Sequence, residues 1–224
     1  VIDENSFIGK NESGLVNVPP ENLLLRDSVT EPFGRLRCAA LAAGFRIRIE
    51  SAYRSFERQL SIWNRKAKGE LPLRDAQGVR MTLPEDEEEL ARAILLWSAL
   101  PGASRHHFGT DIDVSDAAAI RAGYEVELTE QECSGMFAPF HAWLDRRIAS
   151  GEAFGFNRVF VPGRGKIRPE RWHISHIEIA RVLQNAFRPE KLRELYRNTD
   201  IACKKVILAH FDEFLDDYVY PYFL

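Results

Sequence analysis

Two short polar stretches, about sixty residues apart, constrain this 224-residue chain more than any other feature: Ser104-Arg105-His106-His107-Phe108-Gly109-Thr110-Asp111-Ile112-Asp113 and Glu170-Arg171-Trp172-His173. They offer two or more imidazoles, an aspartate seven residues past His106, and a glutamate three residues before His173. These are the parts a hydrolytic zinc site requires. A fold that uses them has to bring two distant segments to one place.

Local geometry supports that use. Gly109 permits a sharp turn after the histidine pair, and Thr110 to Val114 then alternates polar and apolar residues like a strand with one face on a core. Asp111 and Asp113 share the face opposite Ile112 and Val114, so a carboxylate on the strand and an imidazole at the turn can reach a common ion. Residue order does not say whether His106 or His107 is the one that binds, because neighbours in extended backbone point apart. In the second stretch Pro169 keeps Arg168 out of helical geometry, which places Glu170 on a loop just before a strand, Trp172 to Ile179, that carries His173. Such a glutamate can stand beside an ion without binding it. Trp172 is read as a packing residue. His176 faces away from His173 on an extended strand and is read as a hydrogen-bonded structural histidine.

Around these stretches the sequence alternates helical and extended periods. Residues 1 to 29, rich in Asn, Glu, Pro and Gly, are expected to form an irregular arm lying across the domain. Helical spacing follows from Glu31 to Ala43, ended by Gly44, then a strand in which Phe45, Ile47 and Ile49 alternate with charged residues. Ser55 can cap a helix with Phe56, Leu60 and Trp63 on one face. Gly69 to Pro84 reads as a long loop bordering a cleft, and the acidic run from Glu85 as a solvated helix start reaching Leu100. A helix over Met136 to Ile148 and a strand over Phe156 to Val161 come next. The basic loop of Arg164, Lys166, Arg168 and Arg171 is read as solvated. Two helices are expected between Pro189 and Tyr218, with Cys203, Ile207, Phe211 and Phe214 inward.

Composition removes several classes. A formal net charge of -3 with mixed signs gives no electrostatic case for a nucleic-acid partner. No apolar run approaches the roughly 18 residues of a membrane span. The cysteines Cys38, Cys133 and Cys203 are far apart and show no paired spacing. Val1 is not an initiator methionine, and Val1 to Pro20 contains no apolar core of a secretion signal, so the expectation is a removed leader or a trimmed chain. Oligomeric state is not legible.

The chain resembles the VanY-like D-alanyl-D-alanine carboxypeptidases, zinc peptidases related to lysostaphin and hedgehog. The family pattern of Ser-x-His, Gly three further on and Asp seven after the His is matched by Ser104, His106, Gly109 and Asp113. Its Glu-x-Trp-His is matched by Glu170, Trp172 and His173. Tyr-Arg-Ser after a strand, with Gln five beyond the Arg, is matched by Tyr53, Arg54, Ser55 and Gln59. The resemblance implies one zinc ion held by His106, Asp113 and His173, with Glu170 and Arg54 in catalysis and Ser104, Gln59 and Tyr53 against substrate. Asp111 stands where a small residue such as Ala is common, and His176 where Tyr is common.

The fold expected is α+β: a small antiparallel sheet forming a zinc-containing cleft, flanked by helices. Residues 1–29 are the arm, 30–185 the peptidase domain, and 186–224 a C-terminal helical extension packed on the same domain. The resemblance implies hydrolysis of peptidoglycan stem peptides, with release of a terminal D-amino acid, in the cell envelope or periplasm; a cytoplasmic lysis protein is a further possibility. The alternatives are an endopeptidase of the same chemistry, a non-catalytic zinc-bearing binding module, and a metal-free structural protein. Arg54 is suited to stabilise an oxyanion or to clamp a substrate carboxylate.

Overall fold

A computed structural model describes residues 3–224; Val1 and Ile2, the first two residues of the expected arm, lie outside the described residues. The remainder of the arm is not irregular. A short helix α1 (Glu4–Phe7) leads into a hairpin of β1 (Leu15–Val18) and β2 (Leu23–Arg26), with Leu15 opposite Arg26. Phe7 and Leu25 are buried, anchors that the polar composition of the segment obscures. Helix α2 (Asp27–Ala42) begins four residues before the expected start and carries Pro32 in its second turn. Its buried Val29, Phe33, Leu36 and Ala40 keep the helical period across that proline.

The alternating segment forms β3 (Ile47–Ser51), and Ser55 caps α3 (Phe56–Ala67) by accepting the Arg58 N–H at 3.2 Å. The expected long loop contains a minimal hairpin, β4 (Leu73–Arg74) and β5 (Arg80–Met81). Asp86 caps α4 (Glu87–Leu95), whose first turn is acidic. A 3-10 turn (Arg105–Phe108) carries the histidine pair into β6 (Asp111–Asp116). There follow α5 (Glu130–Ser134), α6 (Ala138–Ala149), β7 (Phe156–Arg158) and β8 (His173–His176). The strand expected to reach Ile179 instead turns at Ile177 into α7 (Ile177–Gln184). Burial of Ala180, Leu183 and Gln184 shows why: the inward positions recur at three and four residues, not two. The tail holds three helices where two were expected, α8 (Pro189–Asn198), α9 (Lys204–Ala209) and α10 (Phe211–Tyr218), because the chain breaks at Cys203, with φ of +57°, and at His210.

The central sheet has four antiparallel strands in the order β3-β6-β8-β7. One face, with Ile49, Ile112, Val114 and Ile174, packs against Phe33 and Leu36 of α2 and Phe140, Trp143 and Leu144 of α6. A second core joins Trp63, Ile94 and Phe108 to Leu183, Tyr196, Phe211 and Tyr222, so the C-terminal helices share their interior with α3 and α4. The Trp63 indole donates to the Ala202 carbonyl at 3.0 Å and the Tyr196 hydroxyl to the Pro101 carbonyl at 2.7 Å. Among the described residues, no helix is long and apolar enough to cross a membrane.

Trp63 is fully buried at the junction of α3 with the tail. Replacing it with alanine should cost about 3–5 kcal/mol, read as a lowered urea midpoint in one cooperative transition that reports the domain and the tail together.

Candidate metal centre

Strand pairing assembles the site. In the ladder between β6 and β8, Asp113 lies opposite His173, and on its other side Asp113 pairs with Ser51 across an irregularity in β3 between Ile49 and Ser51. The chain just past that irregularity, Ala52 to Arg54, is therefore carried beside the histidine turn. The Arg54 N–H donates to the His106 carbonyl at 3.1 Å.

The two neighbouring histidines have different tasks. His106 Nδ1 lies 2.9 Å from the Ala52 carbonyl, so it donates there and leaves Nε2 as a lone pair facing Asp113 Oδ2 at 3.3 Å. His107 spends both nitrogens on the main chain: Nδ1 donates to the Arg54 carbonyl at 2.6 Å, and Nε2 accepts the Gly102 N–H at 3.0 Å. His107 thus ties the two loops that frame the site. Gly109, with φ of +69°, ends the turn in left-handed backbone, and a Cβ there would lie 2.6 Å from Leu15 Cδ2. The Arg26 N–H and Nε donate to the carbonyls of Gly109 and Phe108 at 2.8 and 2.9 Å, locking the turn to the N-terminal hairpin.

His106, Asp113 and His173 are all buried, and each offers a ligand atom within 4.8 Å of those of the other two. Two imidazoles and one carboxylate at this spacing fit a divalent ion with a coordination position to spare. The His173 nitrogens lie 3.0 Å from Asp113 Oδ1 and 2.9 Å from Asp111 Oδ1. Glu170 Oε2 is 4.0 Å from His173 Nδ1, outside the trio but beside it. Its main chain is fixed by an N–H donated to the Phe160 carbonyl at 3.0 Å.

Charge states follow from this packing. Burial pushes His106 below the usual imidazole range, leaving its Nε2 free of a proton. Burial also opposes protonation of His173, but hydrogen bonds to Asp111 and Asp113 outweigh it and raise His173 to about 9. For Glu170, burial raises the carboxyl well above its ordinary value; His173 opposes the rise and Asp113 adds to it. A carboxyl shifted in this direction is suited to carry a proton during a reaction near neutral pH.

A cavity of about 550 Å³ opens at His106 and Asp113, lined also by Arg54, Lys66, Ser104, Glu170 and Trp172, while His173 lies fully buried behind them. Lys66 lies outside the sequence motifs, although it follows Trp63 at helical spacing on α3. Its amine donates to Ser98 Oγ at 2.6 Å, and burial pushes it down to about 8. Gln59 and Tyr53 do not line this cavity. Gln59 is fully buried, accepting from Arg54 Nη1 at 2.7 Å and donating to the Ala99 carbonyl at 2.7 Å, so it orients Arg54 from behind. The Tyr53 hydroxyl donates to the Gly9 carbonyl at 3.0 Å and faces the N-terminal segment. Trp172 is buried and stacks on Trp97 at the cavity wall, with ring centroids 6.4 Å apart. His176 packs edge-on against Phe156, and its buried Nδ1 has no hydrogen-bond partner among the described residues, unlike the bonded histidine expected there.

The family model for VanY, D-alanyl-D-alanine carboxypeptidase, matches residues 22–179. An uncharacterized protein of Haemophilus influenzae is 25% identical over 122 residues, which span 54% of this chain and 92% of that one. A mutant of the vancomycin-resistance D,D-pentapeptidase VanY from a VanB-type cassette, solved in complex with Zn(II), superposes with a TM-score of 0.52 at 19% identity, covering 86% of this chain and 88% of that one. The LD-carboxypeptidase LdcB, whose structure addresses peptidoglycan recognition, gives a TM-score of 0.53 at 20% identity over 87% of this chain and 77% of that one. At these identities the two structures share a fold with this chain.

The metal-free site makes a signed prediction. His173 gains its proton partners on folding, so its contribution to stability is complete below the unfolded value of 6.5 and is lost as pH rises through about 9. A metal has to displace that proton. Zinc affinity, measured by chelator competition, should therefore rise with pH up to about 9 and then level off, while the melting temperature of metal-free protein falls over the same window.

Proposed function

The chain belongs to the VanY D-alanyl-D-alanine carboxypeptidase family, and from that premise we propose that it is a zinc-dependent peptidase that trims peptidoglycan stem peptides by releasing a terminal D-amino acid. The observation that carries the reading is the convergence of Glu170 and Arg54 on one cavity with His106 and Asp113, which group with the buried His173. A purely structural ion would need neither an acid-base group nor a guanidinium beside it. His106 Nε2, Asp113 and His173 would hold the zinc ion, which supplies Lewis acidity toward a water molecule and the scissile carbonyl.

The chain's own groups do the rest. Glu170 takes a proton from the attacking water as the carbon–oxygen bond forms, and returns it to the amine nitrogen as the carbon–nitrogen bond breaks. Without that return the amine is a poor leaving group. Arg54, held by Gln59 and by Ser51 Oγ at 3.0 Å, presents a fixed guanidinium to the negative charge that grows on the carbonyl oxygen, or to the substrate's terminal carboxylate. Ser104 contributes a hydroxyl at the cavity wall.

Arg54 and Lys66 together favour a substrate that ends in a carboxylate, which supports terminal over internal cleavage. A stem-peptide substrate puts the protein's work in the cell envelope. The N-terminal hairpin and the C-terminal helices act as parts of this one domain.

Zinc-loaded protein incubated with defined wall tetra- and pentapeptides should release single D-alanine, identified by mass spectrometry. Loss from the pentapeptide marks D,D cleavage and loss from the tetrapeptide marks L,D cleavage. Release of larger pieces replaces the proposal with an endopeptidase, and no cleavage by stoichiometrically loaded protein replaces it with a binding module. Glu170→Gln should lower kcat by about 10²- to 10⁴-fold with zinc stoichiometry unchanged.

A further inference from the structure

We infer that Asp111 is a positioning residue that fixes His173 as a metal ligand through Nδ1, and that Arg105, tied to the Tyr222 carbonyl, holds Asp111 in place so that the C-terminal segment is part of the metal centre. The inference rests on the metallopeptidase reading above. It concerns residues outside the trio and outside the acid-base machinery.

The His173 ring is gripped at both ends. Nδ1 faces Asp113 and Glu170, the side on which the trio converges, and Nε2 lies 2.9 Å from Asp111 Oδ1. An ionised carboxylate only accepts, so the Nε2 proton belongs in the bond to Asp111. Nδ1 shares its own proton with Asp113 Oδ1 at 3.0 Å, on the side where the trio converges, so this is the proton a metal would displace to meet the Nδ1 lone pair. Strand alternation builds the contact: Asp111 lies opposite Ser175 in the ladder, and Ser175 and His173 share a face of β8.

Asp111 is completely buried, and an isolated charge there would be strongly unfavourable. It is instead saturated. Oδ1 accepts from His173 Nε2 and from Arg105 Nε at 2.7 Å; Oδ2 accepts from Thr110 Oγ1 at 2.6 Å and Ser175 Oγ at 3.0 Å. A carboxylate offers about four lone-pair sites, and all four have donors. The bonds fix the orientation of the carboxylate, and through it the plane of the imidazole.

Arg105 is equally constrained. Beyond Asp111 it donates from Nη2 to Ser175 Oγ at 2.7 Å and from Nη1 to the Tyr222 carbonyl at 2.7 Å. Its side chain is 5% exposed. Tyr222 is itself pinned, its hydroxyl accepting the Ile167 N–H at 2.8 Å and donating to the Arg164 carbonyl at 2.6 Å. The Tyr222 ring packs on Phe160, with centroids 4.9 Å apart, and Phe160 packs on His173 at 4.7 Å. The C-terminal segment therefore reaches His173 by two routes, one of hydrogen bonds through Arg105 and Asp111 and one of tilted, edge-packed rings through Phe160. Residues 180–224 lie outside the family match, yet they support a ligand inside it.

A carboxylate behind a ligating imidazole fixes its tautomer and raises its basicity, and its loss costs about 10- to 100-fold in metal affinity. The test measures zinc dissociation constants of the full chain by chelator competition, with Co(II) absorption as a report of ligand geometry. Asp111→Ala should weaken zinc about 100-fold and Asp111→Asn about 10-fold, each with a changed Co(II) visible spectrum. Arg105→Lys, which keeps the charge but loses the fork, should weaken zinc to a degree between wild type and Asp111→Ala. Should Asp111→Ala fail to fold, the near-isosteric Asn variant carries the measurement. A folded Asp111→Asn protein with wild-type affinity and spectrum overturns the role of Asp111, and an unchanged Arg105→Lys protein overturns that of the C-terminal segment. Wild-type protein that binds no zinc overturns the metallopeptidase reading itself, a result distinct from either.

Discussion

The antiparallel pairing of β6 with β3 on one side and β8 on the other is the constraint on which the remaining structure depends. It sets Asp113 between Ser51 and His173, and so brings three segments far apart in the chain to a single point. The apolar face of the same strands explains why the register holds. Ile112, Val114 and Ile174 are buried against α2 and α6, and a slip of one residue would exchange them with Asp111, Asp113 and His173. Such a slip would bury carboxylates in a hydrocarbon layer while exposing three large apolar side chains. The hydrophobic core and the polar site thus specify one alignment from opposite faces.

The side chains of the candidate metal site satisfy one another. His106 meets Asp113, His173 meets both Asp113 and Asp111, and hydrogen bonds to main-chain carbonyls or to Arg105 fix the outer atoms of the set. The resulting charge distribution is strongly coupled: buried carboxylates hold a proton on His173, and the nearby Asp113 charge adds to the burial that raises Glu170. A cation held by His106, Asp113 and His173 would take the place of that proton among groups already arranged around a positive charge. This is preorganisation by hydrogen bonding.

Much of this was legible in the sequence because the relevant signals are local. The alternation from Thr110 to Val114 gave the shared face of Asp111 and Asp113, Pro169 put Glu170 on a loop, and Ser55 announced α3. What was hidden depends on partners far along the chain. Adjacent residues could not tell His106 from His107, since the distinction lies in the carbonyls of Ala52 and Arg54 and the N–H of Gly102. Gln59 carries the spacing of a substrate contact but is spent on holding Arg54, and Tyr53 turns toward Gly9. The N-terminal hairpin escaped notice because two four-residue strands carry too few alternations to stand out in a polar segment. At Ile177 a strand-like run gave way to a helix whose period shows only over a longer window.

The left-handed turn at Gly109 ties the oldest kind of local rule to the N-terminal hairpin. Its missing side chain is the space into which Leu15 fits, and its carbonyl is the acceptor for Arg26. The hairpin is in this sense a mould pressed against the histidine-bearing loop, and neither surface can vary alone. Recombining the histidine motif into another scaffold would transfer the ligands but leave the loop without the wall that shapes it.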